Sequence, residues 1–249
     1  MLTRTEATAI DPTGRQVELK DLASGRVYHE SYDQLVLSPG AEPIRPPLPG
    51  VDLPGVLALR NVPDLDRIME FIRTRDVKNA VVVGGGFIGV ETAENLIERG
   101  IETSLIERGP HVMGLLDPEI AAFLQLELKS HGARLHPGAN LTAIREDGAN
   151  LVLTLEGQSE LRTDLVILAI GVKPETRLAV SAGLKLGPQG GITVDDRMRT
   201  SDPAIFALGD AVEVRDRVTG AVGRVPLAGP ANRQGRVVAD VISGRDLRA

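Results

Sequence analysis

The run Ala80-Val81-Val82-Val83 leads into Gly84-x-Gly86-x-x-Gly89, then into a helix-forming stretch that Gly100 stops. Spaced glycines alone are common in turns, but a β-branched strand before them and a helix after them leave few backbones open to the segment. The first glycine permits a tight turn, the second lets backbone approach a pyrophosphate, and the third lets the helix pack close to the strand. The amides that start the helix then face an anion. A second strand over residues 102–107 completes a predicted βαβ unit with a right-handed crossover. Glu107 stands 18 residues beyond Gly89 at the end of that strand. A carboxylate there accepts hydrogen bonds from an adenosine ribose and repels a 2′-phosphate, which favours NAD(H) over NADP(H). Arg108 directly after it weakens that preference. Phe87 and Glu91 fall on the first turns of the helix. Spacing alone leaves nucleotide contact open beside core packing for Phe87 and helix-terminus charge for Glu91.

The rest of the chain alternates between two kinds of pattern. Residues 5–28 show period-two segments separated by Asp11-Pro12-Thr13-Gly14 and Ala23-Ser24-Gly25, which predicts an antiparallel meander. Leu35-Val36-Leu37 reads as an apolar strand that ends at Ser38-Pro39-Gly40. Pro43, Pro46, Pro47, Pro49 and Pro54 exclude helix and central strand and mark a linker or domain crossing. Leu65, Ile68, Met69 and Ile72 predict an amphipathic helix over residues 64–74. Asp117-Pro118-Glu119 opens another, with Asp117 as N-cap, Ile120, Leu124 and Leu128 along its inner face, and Gly132 at its end. Alternation returns over residues 139–164. The nearly all-apolar residues 164–170 then predict a parallel strand returning to the central sheet, covered on both faces. A closing helix is expected over residues 230–242, with Val237, Val238 and Val241 inward.

Composition removes several functions. The net charge is −6 without a basic cluster, so nucleic acid is not an expected partner. The most apolar stretches fall short of the roughly 20 residues that span a bilayer, and the opening lacks the apolar core of a secretory signal. No membrane association is expected, and the cytoplasm is the default location. With no cysteine, this chain holds no disulfide, thiolate metal site or cysteine nucleophile. His29, His111, His131 and His136 lie far apart or in polar surroundings; they read as solvated, and no metal site is expected.

Three further segments carry a resemblance. Tyr32-Asp33-x-Leu35-Val36-Leu37-Ser38-Pro39-Gly40-Ala41-x-Pro43 is similar to the strand and turn that run between the domains of two-dinucleotide flavoproteins. Asp164-Leu165-Val166-Ile167-Leu168-Ala169-Ile170-Gly171-Val172-x-Pro174 resembles the turn that closes their NAD domain. Thr200-Ser201-Asp202-Pro203-Ala204-Ile205-Phe206-Ala207-Leu208-Gly209-Asp210 looks like their second flavin motif. With the glycine motif, the chain resembles the FAD-dependent pyridine nucleotide-disulfide oxidoreductases. Through residues 226–235 it is closest to the coenzyme A-disulfide reductase and NADH oxidase branch.

The resemblance implies an α/β protein, with a Rossmann-like three-layer NAD-binding domain inserted between two parts of an FAD domain. Segment boundaries are expected at 1–60, 61–188 and 189–249. It implies that Gly84, Gly86, Ile88, Gly89 and Glu107 bind the nicotinamide dinucleotide and that Phe87 gates the nicotinamide pocket. It also implies that Glu91 stands beside the nicotinamide and that the turn at Gly171 borders the NAD. For FAD, it implies Gly40 and Gly209 at the turns, Asp210 on the ribityl chain, and Leu227 with Ala228 near the ring. The family's own FAD glycine fingerprint, redox cysteine and dimerisation domain do not match any segment here. The chain is therefore expected to be a fragment that holds FAD weakly, with flanks that depend on association. The whole protein is expected to be a homodimer that passes hydride from NADH, or NADPH, to FAD and on to a small disulfide or oxygen. Alternatives are a ferredoxin- or rubredoxin-type reductase, or a nucleotide-binding module without turnover.

Overall fold

The computed structural model describes residues 1–157 and 160–245. The chain divides into two compact units: Pro43–Val172, and a flanking unit built from Met1–Glu42 with Lys173–Ala249. Residues 158–159 and 246–249, parts of the expected second and third segments, lie outside the described residues.

In chain order the first elements are β1 (Thr5–Asp11), β2 (Gln16–Asp21), β3 (Val27–Ser31), β4 (Leu35–Leu37) and β5 (Ala41–Pro43). Next come β6 (Val56–Ala58), α1 (Val62–Arg75), β7 (Asn79–Val83), α2 (Phe87–Glu98), β8 (Glu102–Glu107) and α3 (Pro118–Ser130). Then follow β9 (Arg134–Pro137), β10 (Leu141–Asp147), β11 (Asn150–Leu155), β12 (Leu161–Thr163), β13 (Leu165–Leu168) and β14 (Val172–Pro174). The chain closes with α4 (Arg177–Ser181), β15 (Ile192–Thr193), β16 (Ile205–Ala207), β17 (Val212–Arg215), β18 (Val222–Gly223) and α5 (Ala228–Ile242).

The inserted unit is built on a parallel sheet of order β6-β13-β7-β8-β9. Its central strands are apolar on both faces because both are covered. Val82, Leu105, Leu165 and Ile167 pack with Ile68 of α1, Ala93 and Leu96 of α2, and Leu128 of α3. Val81, Val83, Ile106, Val166 and Leu168 point the other way, onto the β10-β11-β12 meander. The three layers are thus helices, parallel sheet and antiparallel sheet. Each fully buried side chain, such as Val82 or Leu165, contributes roughly 1.5–3 kcal/mol by leaving water.

The flanking unit holds a β1-β2-β3 antiparallel meander, a parallel β4–β16 pair and a β15-β17-β18 sheet. Ile10, Leu37, Ile192, Ile205 and Val212 form one core there, and Phe206 packs with Val237 and Val238 of α5 in a second.

The structure corrects several expectations. The compact units divide at 42/43 and 172/173, beside the segment limits of 60/61 and 188/189 expected from the sequence. The proline-rich stretch belongs to the inserted unit because Leu48, Val51 and Leu53 pack into its core. It is held further by Arg45, whose guanidinium donates to the carbonyls of Val51 (3.0 Å) and Val56 (3.4 Å). Ala179 and Leu184, assigned by sequence to the nucleotide domain, pack with Ile10 and Leu37 of the flanking unit. On α3, Leu124 and Leu128 face inward but Ile120 is exposed, its inward place taken by Ala121. Asp117 occupies the N-cap position without a side-chain cap bond. α1 begins at Val62, after a reciprocal capping box between Asn61 and Asp64. Leu65 is exposed there, and Phe71 packs against the core.

Asp164 locks the start of the central strands. Its carboxylate accepts from the amides of Lys78 and Asn79, each at 2.9 Å, and from the Asn150 side chain at 2.5 Å. Burial pushes its pKa up, but these donors outweigh burial and hold it below the ordinary 3.8. Asp164→Ala is expected to cost about 2 kcal/mol in urea unfolding at pH 7. A folded-state pKa that is depressed stabilises only above it, so the gap between native and variant closes as pH falls below 3.8. A gap that persists undiminished in acid would contradict this account.

Candidate functional site

The corner between β7 and α2 is shaped by two glycines that tolerate no side chain. Gly84 has φ +108°, and a Cβ there would stand 2.3 Å from the Ala169 carbonyl oxygen. Gly89 lies so close beneath the turn that its Cβ would stand 1.8 Å from the Gly84 oxygen. Between them, Gly86 is the extended N-cap of α2, with no side chain capping the helix. A Cβ on Gly86 would meet nothing within 4 Å, so open space lies above the first amides of α2. Uncapped amides at the positive end of a 12-residue helix, with room at Gly86, are chemically suited to accept an anion.

Glu107, at the end of β8, is tied to this corner. Its Oε2 accepts from the Gly85 amide at 2.7 Å and its Oε1 from the Gly109 amide at 2.5 Å. Met113 returns to the same turn and donates its amide to the Gly85 carbonyl at 2.7 Å. Beside these groups lies a cavity of about 460 Å³ whose lining includes Gly84, Glu107, Arg108, Asn140, Thr142 and Ile170. The cavity brings together Gly84 and Glu107, the first glycine and the acid. Phe87 and Ile88 start α2 and are 55% and 36% exposed; Glu91 is exposed one turn later. These three do not line the cavity. Gly171, at φ +111°, is exposed beside the lining residue Ile170, and its carbonyl accepts from the Ile44 amide at 3.0 Å.

The residues expected from the sequence to meet flavin all lie in the flanking unit. Gly209 has φ +77° and begins a short 3₁₀ turn that carries Asp210, whose side chain is half-buried. The Gly209 amide donates to Gln234 Oε1 of α5 at 2.7 Å. Leu227 is the N-cap of α5 without a side-chain cap bond, and Ala228 is its first residue; both are exposed. Gly40 has φ +74°, and its carbonyl accepts from the Glu175 amide at 3.0 Å. A cavity of about 650 Å³ in this unit is lined in part by Leu35, Ser38, Pro39, Glu175 and Arg177, but not by Gly40, Gly209, Asp210, Leu227 or Ala228. At its rim Arg177 Nε donates to both Glu175 oxygens at 3.0 Å, pulling that carboxyl down to about 2.

Sequence reasoning missed Gly85 and Gly109 as partners of Glu107, and Asn140 and Thr142 as lining groups. Gly85 and Gly109 stood visible only as glycines near the motif, and the β9–β10 connection carries no pattern pointing to a pocket. One histidine reading is corrected. His136 sits on β9, half-buried, with Nε2 out of reach of any partner. Burial first, and then Arg134, pull its pKa below 6.5. Among the described residues no group of three His, Asp or Glu side chains is placed to hold a metal ion, and no helix is long and apolar enough to cross a membrane.

Comparison with known proteins gives one consistent picture. The sequence profile described as Pyridine nucleotide-disulphide oxidoreductase matches residues 1–235. The chain is 37% identical over 246 residues to an NADH oxidase of Methanocaldococcus jannaschii, covering 98% of this chain and 54% of the relative. Among solved structures it is similar to the reduced CoADR-RHD of Bacillus anthracis, with 46% identity, TM-score 0.93, and coverage of 96% of this chain and 43% of that one. It is also similar to an FAD-dependent pyridine nucleotide-disulphide oxidoreductase from Desulfovibrio vulgaris, with 38% identity, TM-score 0.90, and coverage of 100% and 63%. The chain spans about half the length of the curated relatives it matches.

Gly89 and Gly86 predict unequal responses to a methyl group. Gly89→Ala forces α2 away from β7 and is expected to lower stability by about 3 kcal/mol or more, read from denaturant midpoints. Gly86→Ala meets open space and is expected to leave the midpoint within about 0.5 kcal/mol of native. Equal losses at the two positions would contradict the geometry.

Proposed function

The chain belongs to the pyridine nucleotide-disulphide oxidoreductase family, and from that premise we propose that it is the nicotinamide-nucleotide-binding part of a flavin-dependent oxidoreductase. The whole protein passes hydride from NADH to FAD and on to a small disulfide or to oxygen. The observation that carries this reading is the joining of the uncapped α2 amides, the bare Gly86 and the Glu107 carboxylate at one corner.

In this reading the α2 amides beside Gly86 hold the pyrophosphate, and Gly84 and Gly89 keep strand and helix close enough to aim them. Ile88 lies on the same first turn, toward the dinucleotide. Glu107 accepts hydrogen bonds from the adenosine sugar, which the neighbouring cavity receives. Phe87 is a mobile aromatic over the nicotinamide, Glu91 stands beside that ring, and Gly171 lets backbone pass close to it. When bound, the dinucleotide supplies the hydride and the flavin accepts it.

For the flavin, the residues present fit one end of the molecule. Asp210 offers an acceptor, and the uncapped start of α5 at Leu227 and Ala228 offers amides, with Gly209 and Gly40 at the adjoining turns. A strand–glycine–helix corner like that of β7 and α2 is not found among the described residues of the flanking unit. This chain by itself therefore holds FAD weakly. The acidic net charge of −6 argues against a nucleic-acid partner, and a cytoplasmic location and a homodimer for the whole protein remain part of this proposal.

Calorimetry on the 249-residue chain is expected to show one equivalent of NADH bound, with NADPH bound at least about tenfold more weakly. Glu107→Ala is expected to narrow that ratio by weakening NADH and relieving NADPH. No uptake of NADH or NAD by folded chain would sink the reading. Purified chain is expected to be nearly colourless, and a yellow preparation with stoichiometric FAD would show the flavin part to be wrong.

A further inference from the structure

We infer that Gly109, together with Gly85, positions the Glu107 carboxylate and thereby sets the preference between the two nicotinamide dinucleotides; this rests on the dinucleotide reading above. Glutamate has three side-chain torsions, and a carboxylate at a cavity rim would sample many orientations, most of them useless for recognising a sugar diol. Here each oxygen is anchored separately. Oε2 takes the Gly85 amide and Oε1 the Gly109 amide. A carboxylate has about four acceptor sites, so two remain for ribose hydroxyls while the anchors stay in place.

Both anchors depend on the absence of a side chain. A Cβ on Gly109 would stand 3.1 Å from Glu107 Oε1. A Cβ on Gly85 would stand 3.1 Å from Glu107 Cβ, 3.2 Å from its Oε2 and 3.0 Å from Val112 Cγ1. These are tight contacts, and the carboxylate is the free end of a side chain, so it moves. Neither glycine is in the left-handed region, so alanine strains no backbone at either place. Gly109 is also fixed from its other side, because its carbonyl accepts from the Gly138 amide at 2.8 Å. The Glu107 carbonyl likewise accepts from the Ala139 amide at 3.0 Å. The anchor therefore cannot follow the carboxylate when it is displaced.

Discrimination depends on where the charge sits. A displaced carboxylate loses its bonds to the diol and stands differently from an incoming 2′-phosphate, with Arg108 on the same cavity wall ready to favour the phosphate. Gly109→Ala should thus lower NADH affinity while leaving NADPH affinity unchanged or higher. A merely structural defect at the loop would weaken both nucleotides by the same factor.

The experiment is a double-mutant cycle on the full chain, with NADH and NADPH affinities measured by calorimetry for native protein, Gly109→Ala, Glu107→Ala and the double variant. The expected result is an NADH-to-NADPH affinity ratio reduced about fivefold or more by Gly109→Ala, and no further change in the ratio when Gly109→Ala is added to Glu107→Ala. An unchanged ratio, or an equal effect of Gly109→Ala in both backgrounds, overturns the inference. Gly85→Ala repeats the test from the other oxygen if the first variant does not fold. Native chain that takes up neither nucleotide overturns the dinucleotide reading instead, and this inference with it.

Discussion

The contact on which the inserted unit depends is between two backbones: the Gly84 carbonyl and the Cα of Gly89, with no room between them for a methyl group. Only Gly84, Gly85 and Gly86 separate β7 from α2, and none of them has a side chain that could cap the helix. The uncapped amides are a cost to folding that an oxyanion placed there would offset. The same closeness places Gly85 where its amide reaches Glu107 on the adjacent strand. Binding chemistry here follows from packing, since a corner loose enough to accept alanine at position 89 would aim its amides elsewhere.

The features legible in sequence were those that one element dictates by itself. The strand–glycine–helix order, the alternating meanders, and the apolar run that became β13 each reflect a local geometric demand. Val237 and Val238 face inward as their spacing predicts. What failed depended on partners distant in sequence. Ile120 has the right spacing to face inward, yet Ala121 does so, because the rotation of α3 is set by what it packs against. Proline content shows that residues 42–55 are irregular, without showing which core Leu48 and Val51 enter. His136 looked like a loop residue and lies on a sheet strand, since β9 is short and paired only through β8.

The same distinction applies to the candidate sites. Glu107 was found by its distance from the glycines, a covalent count that a βαβ unit converts into proximity. Gly109 carries no such count. Its role rests on a hydrogen bond two residues away from the acid, and glycine in that position has many other uses. Asn140 and Thr142 reach the cavity because β9 lies next to β8 and its following loop curls over their shared end. Pairing order, which no local pattern reveals, is what places them.

The two units divide the chemistry unequally. The inserted unit has a complete anion corner and an acid anchored beside it. The flanking unit has an acceptor at Asp210 and the amides at the start of α5, joined through the Gly209–Gln234 bond. The two places differ in the sign of charge they favour, because a half-buried carboxylate repels an oxyanion where uncapped helix-start amides attract one.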